Sequence, residues 1–587
     1  MNKYMKNLGN LLVMIIMIQT FSACEDWLDK IPQDRMTPAT FFTNEEELRL
    51  YTNSFYSVFP TAEDLGKESA DILILSELIQ EVAGTRLVPA TSSSWSFSAL
   101  RNINFFLENS SHCKDEKIRE RYDGLARFFR AYFYFEKVKR YGDVPWYDKV
   151  LGDNDPDLYK PRDSRELVMT NMVKDLDYAI RYLPDTKSLY KVTKWTALAL
   201  KSRVCLFEGT FRKYHGLADA EKYLTLCAEA SEELMTNGGY TIYKQGATPY
   251  FSLFSTFDDR PEEYILARDY NESLNISNGL QMAYNSSTGA GRPGLAKKIV
   301  DSYLMTDGSR FTGIAGYDTK TFLEETQNRD PRMAQTIRTP GYKQIGGTAF
   351  VAPNLAYTNS GYHIIKFSND KLFDAMKGYN DFPLFRYAET LLNFAEAKAE
   401  LGTLTQDDLN KSIKLLRDRV GMPNMDLAAA NTNPDPYLSA PATGYPQVSG
   451  ANKGIILEIR RERAIELVVE GFRYWDIMRW KEGKTFEQPF LGFYIPAPGV
   501  YNLDGQGGND VCFWTGTRPA AFVPLFMEIG KEIVFTEQDH GNVIMHSQLP
   551  REWREDRDYL YPIPIQERSL THGALTQNPG WVDGLNF

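Results

Sequence analysis

The sequence predicts a mostly α-helical fold, in which a helical-repeat scaffold carries a loop-rich, irregular region bearing short strands. Two observations predict it. In three long stretches apolar residues recur at spacings of three and four, which places them on one helical face. Between and after these stretches, residues 240–385 and 485–560 are rich in Gly, Asn, Ser, Thr and aromatic residues, with few long apolar periods. Such composition suits loops and short strands. The scaffold is expected over residues 40–240 and 384–484, within a single domain spanning 24–587.

The chain opens on a targeting signal. Lys3 and Lys6 give a positive start, Leu11 to Ile18 form an apolar run, and Ser22-Ala23 stand directly before Cys24. That is the layout of a secretory signal peptide over residues 1–23. The run is too short to cross a bilayer as a helix, which needs about 20 residues. A cysteine after small residues resembles a bacterial lipobox, in which Cys24 is lipidated and becomes the mature N-terminus. Glu25 and Asp26 resemble the acidic pair that marks surface-exposed lipoproteins. The expected place is outside the cell, with the body in water and acyl chains in the membrane.

The three helical stretches follow in order. The first runs from Ala126 to Tyr141-Gly142 and resumes at Ser164, with Leu167, Met172, Leu176, Ala179 and Leu183 before Pro184. The second begins near Thr193, stops at Gly209, and continues with Ala220, Leu224, Cys227, Ala230 and Leu234 to Gly238-Gly239. The third spans Arg386 to Gly402, followed by Leu409, Ile413, Leu416 and Val420 before Gly421. Glycine suits the left-handed position that closes a helix. The plan resembles tetratricopeptide units, whose small residues let paired helices approach closely. The insert Asp143 to Arg162 loosens the match in the first stretch.

Composition narrows function. With 587 residues, 43% of them hydrophobic, the chain can bury a large core, and its net charge of −11 argues against binding nucleic acid. Cys113, Cys205, Cys227 and Cys512 are too scattered for a disulfide scaffold and lack zinc spacing. Cys205 and Cys227 sit at apolar helical positions and read as buried thiols. Six histidines without an HExxH motif give no metal signature. No cofactor is expected.

Two patterns imitate catalytic sites. Gly289 to Gly294 spells GxGxxG, but the turn sequence Asn285-Ser286-Ser287-Thr288 stands where a dinucleotide fold needs a strand. Glu458, Glu462, Glu466 and Glu470 recur every fourth residue, about 5–6 Å apart on a helix. Arg460, Arg461, Arg463 and Arg473 interleave with them. Arginines hold acids ionised, whereas an acid catalyst needs a raised pKa, so the reading is a structural ion-pair network.

The segment Ile459 to Trp480 (IRRERAIELVVEGFRYWDIMRW) resembles the SusD/RagB family of outer-membrane nutrient-binding lipoproteins. Four further segments agree in order: Cys24 to Phe42, Arg130 to Pro145, Leu384 to Ala397, and Tyr561 to Trp581 with its Gln-Asn-Pro-Gly-Trp ending. The resemblance implies a non-catalytic protein anchored by lipid at the extracellular face of the outer membrane. It would capture oligosaccharides or polysaccharides, or peptides in some relatives, and pass them to a SusC-like TonB-dependent transporter. The motifs themselves read as packing and pairing, and the resemblance carries no ligand residue onto this chain.

Ligand contacts are therefore sought in loops. Sugar recognition needs flat apolar faces with planar polar groups beside them. Three loop segments combine these: Asp64 to Trp95, with Asp71, Arg86 and Trp95; Arg268, Tyr270 and Asn271, followed by Tyr284 and Asn285; and Tyr357 to Tyr362. Trp95 reads equally as a core residue, Asp71 equally as a helix cap. Tyr284 lies in a polar turn and is expected to be exposed.

Overall fold

The computed structural model describes residues 41–257, 259–285, 291–369 and 378–587. The expected signal peptide and Cys24 lie outside the described residues. Nine helices of eight or more residues run through the described chain: α1 Glu45–Thr52, α2 Ser98–Asn109, α3 Glu116–Tyr141, α4 Arg165–Tyr182, α5 Lys194–His215, α6 Ala220–Asn237, α7 Tyr387–Leu401, α8 Lys453–Glu466 and α9 Arg473–Trp480.

Local chemistry sets their ends. Asp115 accepts the Ile118 amide at the start of α3 at 3.1 Å, and Ser164 accepts that of Leu167 at the start of α4 at 3.3 Å. Each satisfies one of the free amides of a first turn. Gly402 closes α7 at φ 76°, as its place after the periodic run predicts.

Helices pair along the chain. Arg130 of α3 meets Asp175 of α4 at 2.6 Å, while Arg165, at the opposite end of α4, reaches the Val138 carbonyl. The two helices are therefore antiparallel. In the next pair α5 does not stop at Gly209. It runs six residues further, to His215, and Gly216 closes it at φ 72°. Gly209 serves the crossing instead: a Cβ there would lie 2.7 Å from Leu224 Cγ of α6. The third stretch also departs from expectation. Its second helix breaks at Ser412 into Gln406–Asn410 and Ile413–Asp418, where the Ser412 hydroxyl bonds back to the Asp408 carbonyl.

A chain of buried polar groups ties five helices together. The Ser202 and Ser231 hydroxyls lie 2.8 Å apart across α5 and α6, and Asn393 Nδ2 of α7 donates to Ser202 Oγ at 3.0 Å. Arg463 of α8 donates to Asn393 Oδ1 at 2.9 Å and to Asp476 of α9 at 2.8 Å. Each buried polar group thereby keeps a partner. Cys205 and Cys227 are fully buried nearby.

The glutamate series is an ion-pair network, but its partners come from elsewhere in the chain. Glu462 is held by Arg332 and Arg417, Glu466 by Arg386, Arg419 and Arg332, and Glu470 by Arg386 and Lys366. Of the interleaved arginines, Arg461 alone pairs within the series, with Glu458. α8 ends at Glu466, so Glu470 lies beyond the helix.

Short strands fill the loop-rich region. β1 (Leu73–Ile74) pairs antiparallel with β3 (Gly294–Leu295), and β2 (Tyr264–Arg268) with β4 (Phe382–Arg386). β5 (Phe490–Ile495) pairs with β9 (Gly541–Met545), and β6 (Gly499–Tyr501), β7 (Val511–Trp514) and β8 (Leu525–Glu528) form a three-stranded sheet. One core lies among the helices; a second, rich in tyrosine and phenylalanine, lies beneath the loops. The C-terminal segment returns to the first pair, where Asn578 Nδ2 donates to the Tyr141 carbonyl at 3.0 Å.

Candidate functional site

The three loop segments singled out by sequence do converge, and they hold one another. Tyr284 Oη donates to the Gly66 carbonyl at 2.9 Å, and Tyr270 Oη accepts the Ala62 amide at 2.9 Å. Arg268 donates to the carbonyls of Phe59 and Pro60 at 3.1 and 3.2 Å. Asn359 Nδ2 donates to the Ile74 carbonyl at 3.1 Å, beside the β1–β3 pair.

Most of the named side chains are consequently turned inward. Asp71 is not a helix cap; it is buried between Arg473, at 2.6 Å, and Lys298, at 2.8 Å. Burial alone would raise its carboxyl, but these two cations outweigh burial and hold it well below the usual carboxylate range. Arg86 is buried over the Tyr561 ring at 4.5 Å and bonds the Asp558 carbonyl. Trp95 is a core residue, edge-on to Tyr141 at 4.6 Å. Tyr284 is 1% exposed, not exposed as its polar turn predicts, because the Gly66 loop covers it. Asn271 caps its own turn by accepting from Ser273 and Leu274, and Asn285 accepts from Arg338. These residues build the frame and spend most of their polar atoms within it, although Arg86 Nη1 is buried without a partner.

What the frame leaves open is a cleft of about 200 Å³ between the converged loops and the β8 to β9 segment. Ser76, Arg292, Asn359, Lys531, Glu532 and His546 bring polar groups to it; Leu355, Met527, Val534 and Ile544 form an apolar wall. The half-buried Arg292 bonds the Leu355 carbonyl through Nη2, yet its Nε is buried without a partner, as is Asn359 Oδ1. Burial pushes the Arg292 guanidinium below its ordinary range. His546 stands at φ 55°, and its Nε2 faces the Leu75 carbonyl at 2.7 Å. A carbonyl only accepts, so Nε2 is the donor. A planar donor, an amide acceptor and an apolar wall together suit the hydroxyls and the C–H face of a sugar ring.

Sequence reasoning passed over Arg292, Asn359 and His546. Arg292 lies inside the GxGxxG string, whose residues 289 and 290 are outside the described residues. Gly294 of that string sits in β3, where a Cβ would lie 2.6 Å or less from the side-chain oxygens of Thr358, Asn359 and Ser360. Its glycine serves the close approach of two loops. Asn359 sits inside the Tyr357 to Tyr362 segment, so the segment was legible and the residue was not. Nothing in the local sequence marks His546.

The SusD family profile matches residues 262–581, more than half of the chain. The chain belongs to the SusD family. A second profile, described as starch-binding associating with outer membrane, matches residues 26–206. The chain is 23% identical over 517 residues to the SusD-like protein P38 of Formosa agariphila, covering 84% of this chain and 94% of that one. Its fold is that of a Bacteroides fragilis SusD-like protein, with TM-score 0.68, 22% identity, and 94% and 100% of the two chains covered. A SusD-like carbohydrate binding protein from the same species aligns with TM-score 0.67 and 21% identity over 90% of this chain and 99% of that one. The SusD fold is thus a mostly helical scaffold with loop-borne short strands, as the sequence predicts. Among the described residues no helix is long and apolar enough to cross a membrane, and no His, Cys, Asp and Glu cluster suits a metal ion.

Proposed function

We propose that this SusD-family chain is a non-catalytic, lipid-anchored glycan-binding protein of the outer cell surface. It captures oligosaccharides at the Arg292–Asn359 cleft and passes them to a SusC-like TonB-dependent transporter. The observation that carries the reading is the cleft itself, in which Ser76, Arg292, Asn359, Lys531 and His546 stand beside an apolar wall of Leu355, Met527, Val534 and Ile544. The second family profile, with its starch-binding and outer-membrane description, supports the ligand class and the location. The Ser22-Ala23-Cys24 sequence supports the anchor.

Affinity electrophoresis of the full-length protein in detergent, across a broad polysaccharide panel, tests the reading. At least one glycan is expected to retard the protein. Arg292→Ala with Asn359→Ala is expected to weaken that retardation at least tenfold, with the thermal midpoint held. Absence of retardation by every glycan, together with calorimetric binding of peptide mixtures, would replace it with peptide capture on the same scaffold.

A further inference from the structure

A groove of about 300 Å³ lies between the start of α2, the segment that follows α3, and the short C-terminal helix Ile565–Leu570 with the residues after it. It shares no lining residue with the Arg292 cleft. Phe97, Leu100, Tyr147, Leu151, Leu158 and Leu575 make it mainly apolar. Leu158 is exposed to solvent, as is the neighbouring Tyr159. Apolar surface left open beside a concavity marks a place where another apolar group packs.

Its charged groups are few and not all matched. Lys149 is held by Asp155 at 3.2 Å and Asp157 at 2.9 Å. Arg101 donates to the Leu151 carbonyl, and neither it nor Glu567 meets an opposite charge among the described residues. The groove therefore offers one cation and one anion around an apolar floor.

The chain itself carries the complement. Between Cys24 and Phe41, the first described residue, Asp26, Trp27, Leu28, Asp29 and Lys30 stand in succession. An apolar pair is bracketed by acids and followed by a base. Trp27 brings a large apolar surface that gains by leaving water. Reach allows it. The Phe42 ring packs 6.0 Å from that of Phe105 and 5.7 Å from that of Phe106 in α2. Arg101 lies four residues before Phe105 on the same helix, about 6 Å along the axis. Leu28 stands thirteen positions before Phe41, a stretch that spans up to about 45 Å.

We propose that the tether docks in cis, with Trp27 and Leu28 seated in this groove, an acid of the bracketing pair beside Arg101, and Lys30 beside Glu567. Only Glu25 and Asp26 then separate Cys24 from the seated pair, a length of about 10 Å. Together with the acyl anchor proposed above, docking holds the groove end of the body at the lipid surface and so sets which faces point outward. That consequence rests on the anchor; the docking does not.

Disulfide trapping in the full-length protein in detergent tests the proposal, with Trp27→Cys paired with Leu158→Cys. Cys113, Cys205, Cys227 and Cys512 are buried and do not compete. A crosslink within one chain, identified by peptide mass spectrometry, is expected both with Cys24 present and with Cys24→Ala. The second background keeps a failure of acylation from registering as a failure of docking. Trp27→Cys paired with Phe522→Cys, at a fully exposed position between β7 and β8, is expected to crosslink at least tenfold less. In limited digestion, trypsin is expected to cut after Lys30 at least tenfold faster in Leu158→Asp than in the wild type, with the thermal midpoint held. Arg101→Lys, which keeps the charge, is expected to stay within threefold. Docking is overturned if the Leu158 pair crosslinks no more than the Phe522 pair, or if cleavage after Lys30 ignores Leu158→Asp. It is equally overturned if the crosslink joins two chains, which would give the groove to a second copy. Neither readout involves a glycan, so failure of the Arg292 cleft reading leaves this one standing.

Discussion

Arg386 grips both carboxylate oxygens of Glu470, with Nε 2.6 Å from Oε2 and Nη2 2.7 Å from Oε1. The same guanidinium bonds Glu466 at 2.8 Å and Glu263 at 3.1 Å. One residue at the junction of β4 and α7 thus joins the strand pair to the end of α8. Removing one partner from such a buried set leaves uncompensated charge, at a cost of about 3–5 kcal/mol. Arg386→Met is expected to lower unfolding stability by that amount, measured by urea titration. Arg386→Met combined with Glu470→Gln is expected to recover part of the loss.

Glu482 gives stability a slope with pH. Burial raises its carboxyl to about 7, and Arg460 offsets only part of that rise. In the unfolded chain the group loses its proton near its ordinary value of 4.5. Between those two values the native state holds the extra proton, so this group's contribution falls as pH rises from 4.5 to 7. Glu482→Gln is expected to remove that component, flattening the curve of urea midpoint against pH across the same window. An unchanged slope would show that the carboxyl titrates normally.

Gly209 and Gly216 are both needed in α5, for different reasons. A methyl at Gly209 meets Leu224 of α6, including its backbone nitrogen at 2.9 Å, whereas one at Gly216 meets nothing but stands at φ 72°. Gly209→Ala is expected to cost about 1–3 kcal/mol through overpacking. Gly216→Ala is expected to cost about 1–2 kcal/mol through backbone strain. A second substitution, Leu224→Ala, is expected to couple with the first and not with the second, read as non-additivity in a double-mutant cycle.

Cys24 is the expected site of acylation. Labelling cells with an alkynyl palmitate analogue is expected to tag the wild-type protein and leave Cys24→Ala untagged. Without acyl chains, the variant is expected to partition into the aqueous phase of a detergent phase separation.

Helix ends were legible where the signal is local, as at Ser164 and Gly402, whereas α3 begins at Glu116, ten residues before the stretch read from Ala126. The break at Ser412 was missed because a serine bonding back to the preceding turn leaves the apolar spacing intact. Gly209 was misread since a glycine that ends a helix and one that admits a neighbour look alike in a single sequence. The loop residues failed for a related reason. Asp71 meets Arg473, 402 positions away, and no local pattern reveals whether a carboxylate will find such a partner or face a ligand. The converging loop segments were legible from composition. Which side chains turn inward was decided by long-range pairing, which closed Asp71 onto Arg473 and Tyr284 onto the Gly66 carbonyl.

The return of Asn578 to the Tyr141 carbonyl bears on biogenesis. A polypeptide emerging N-terminus first must make and hold its opening helical hairpin for more than four hundred residues before that carbonyl finds its donor. Contacts of such span form late. Truncations ending before residue 578 are therefore expected to leave the first helix pair without its closing donor, read as a lower urea midpoint than that of the full chain.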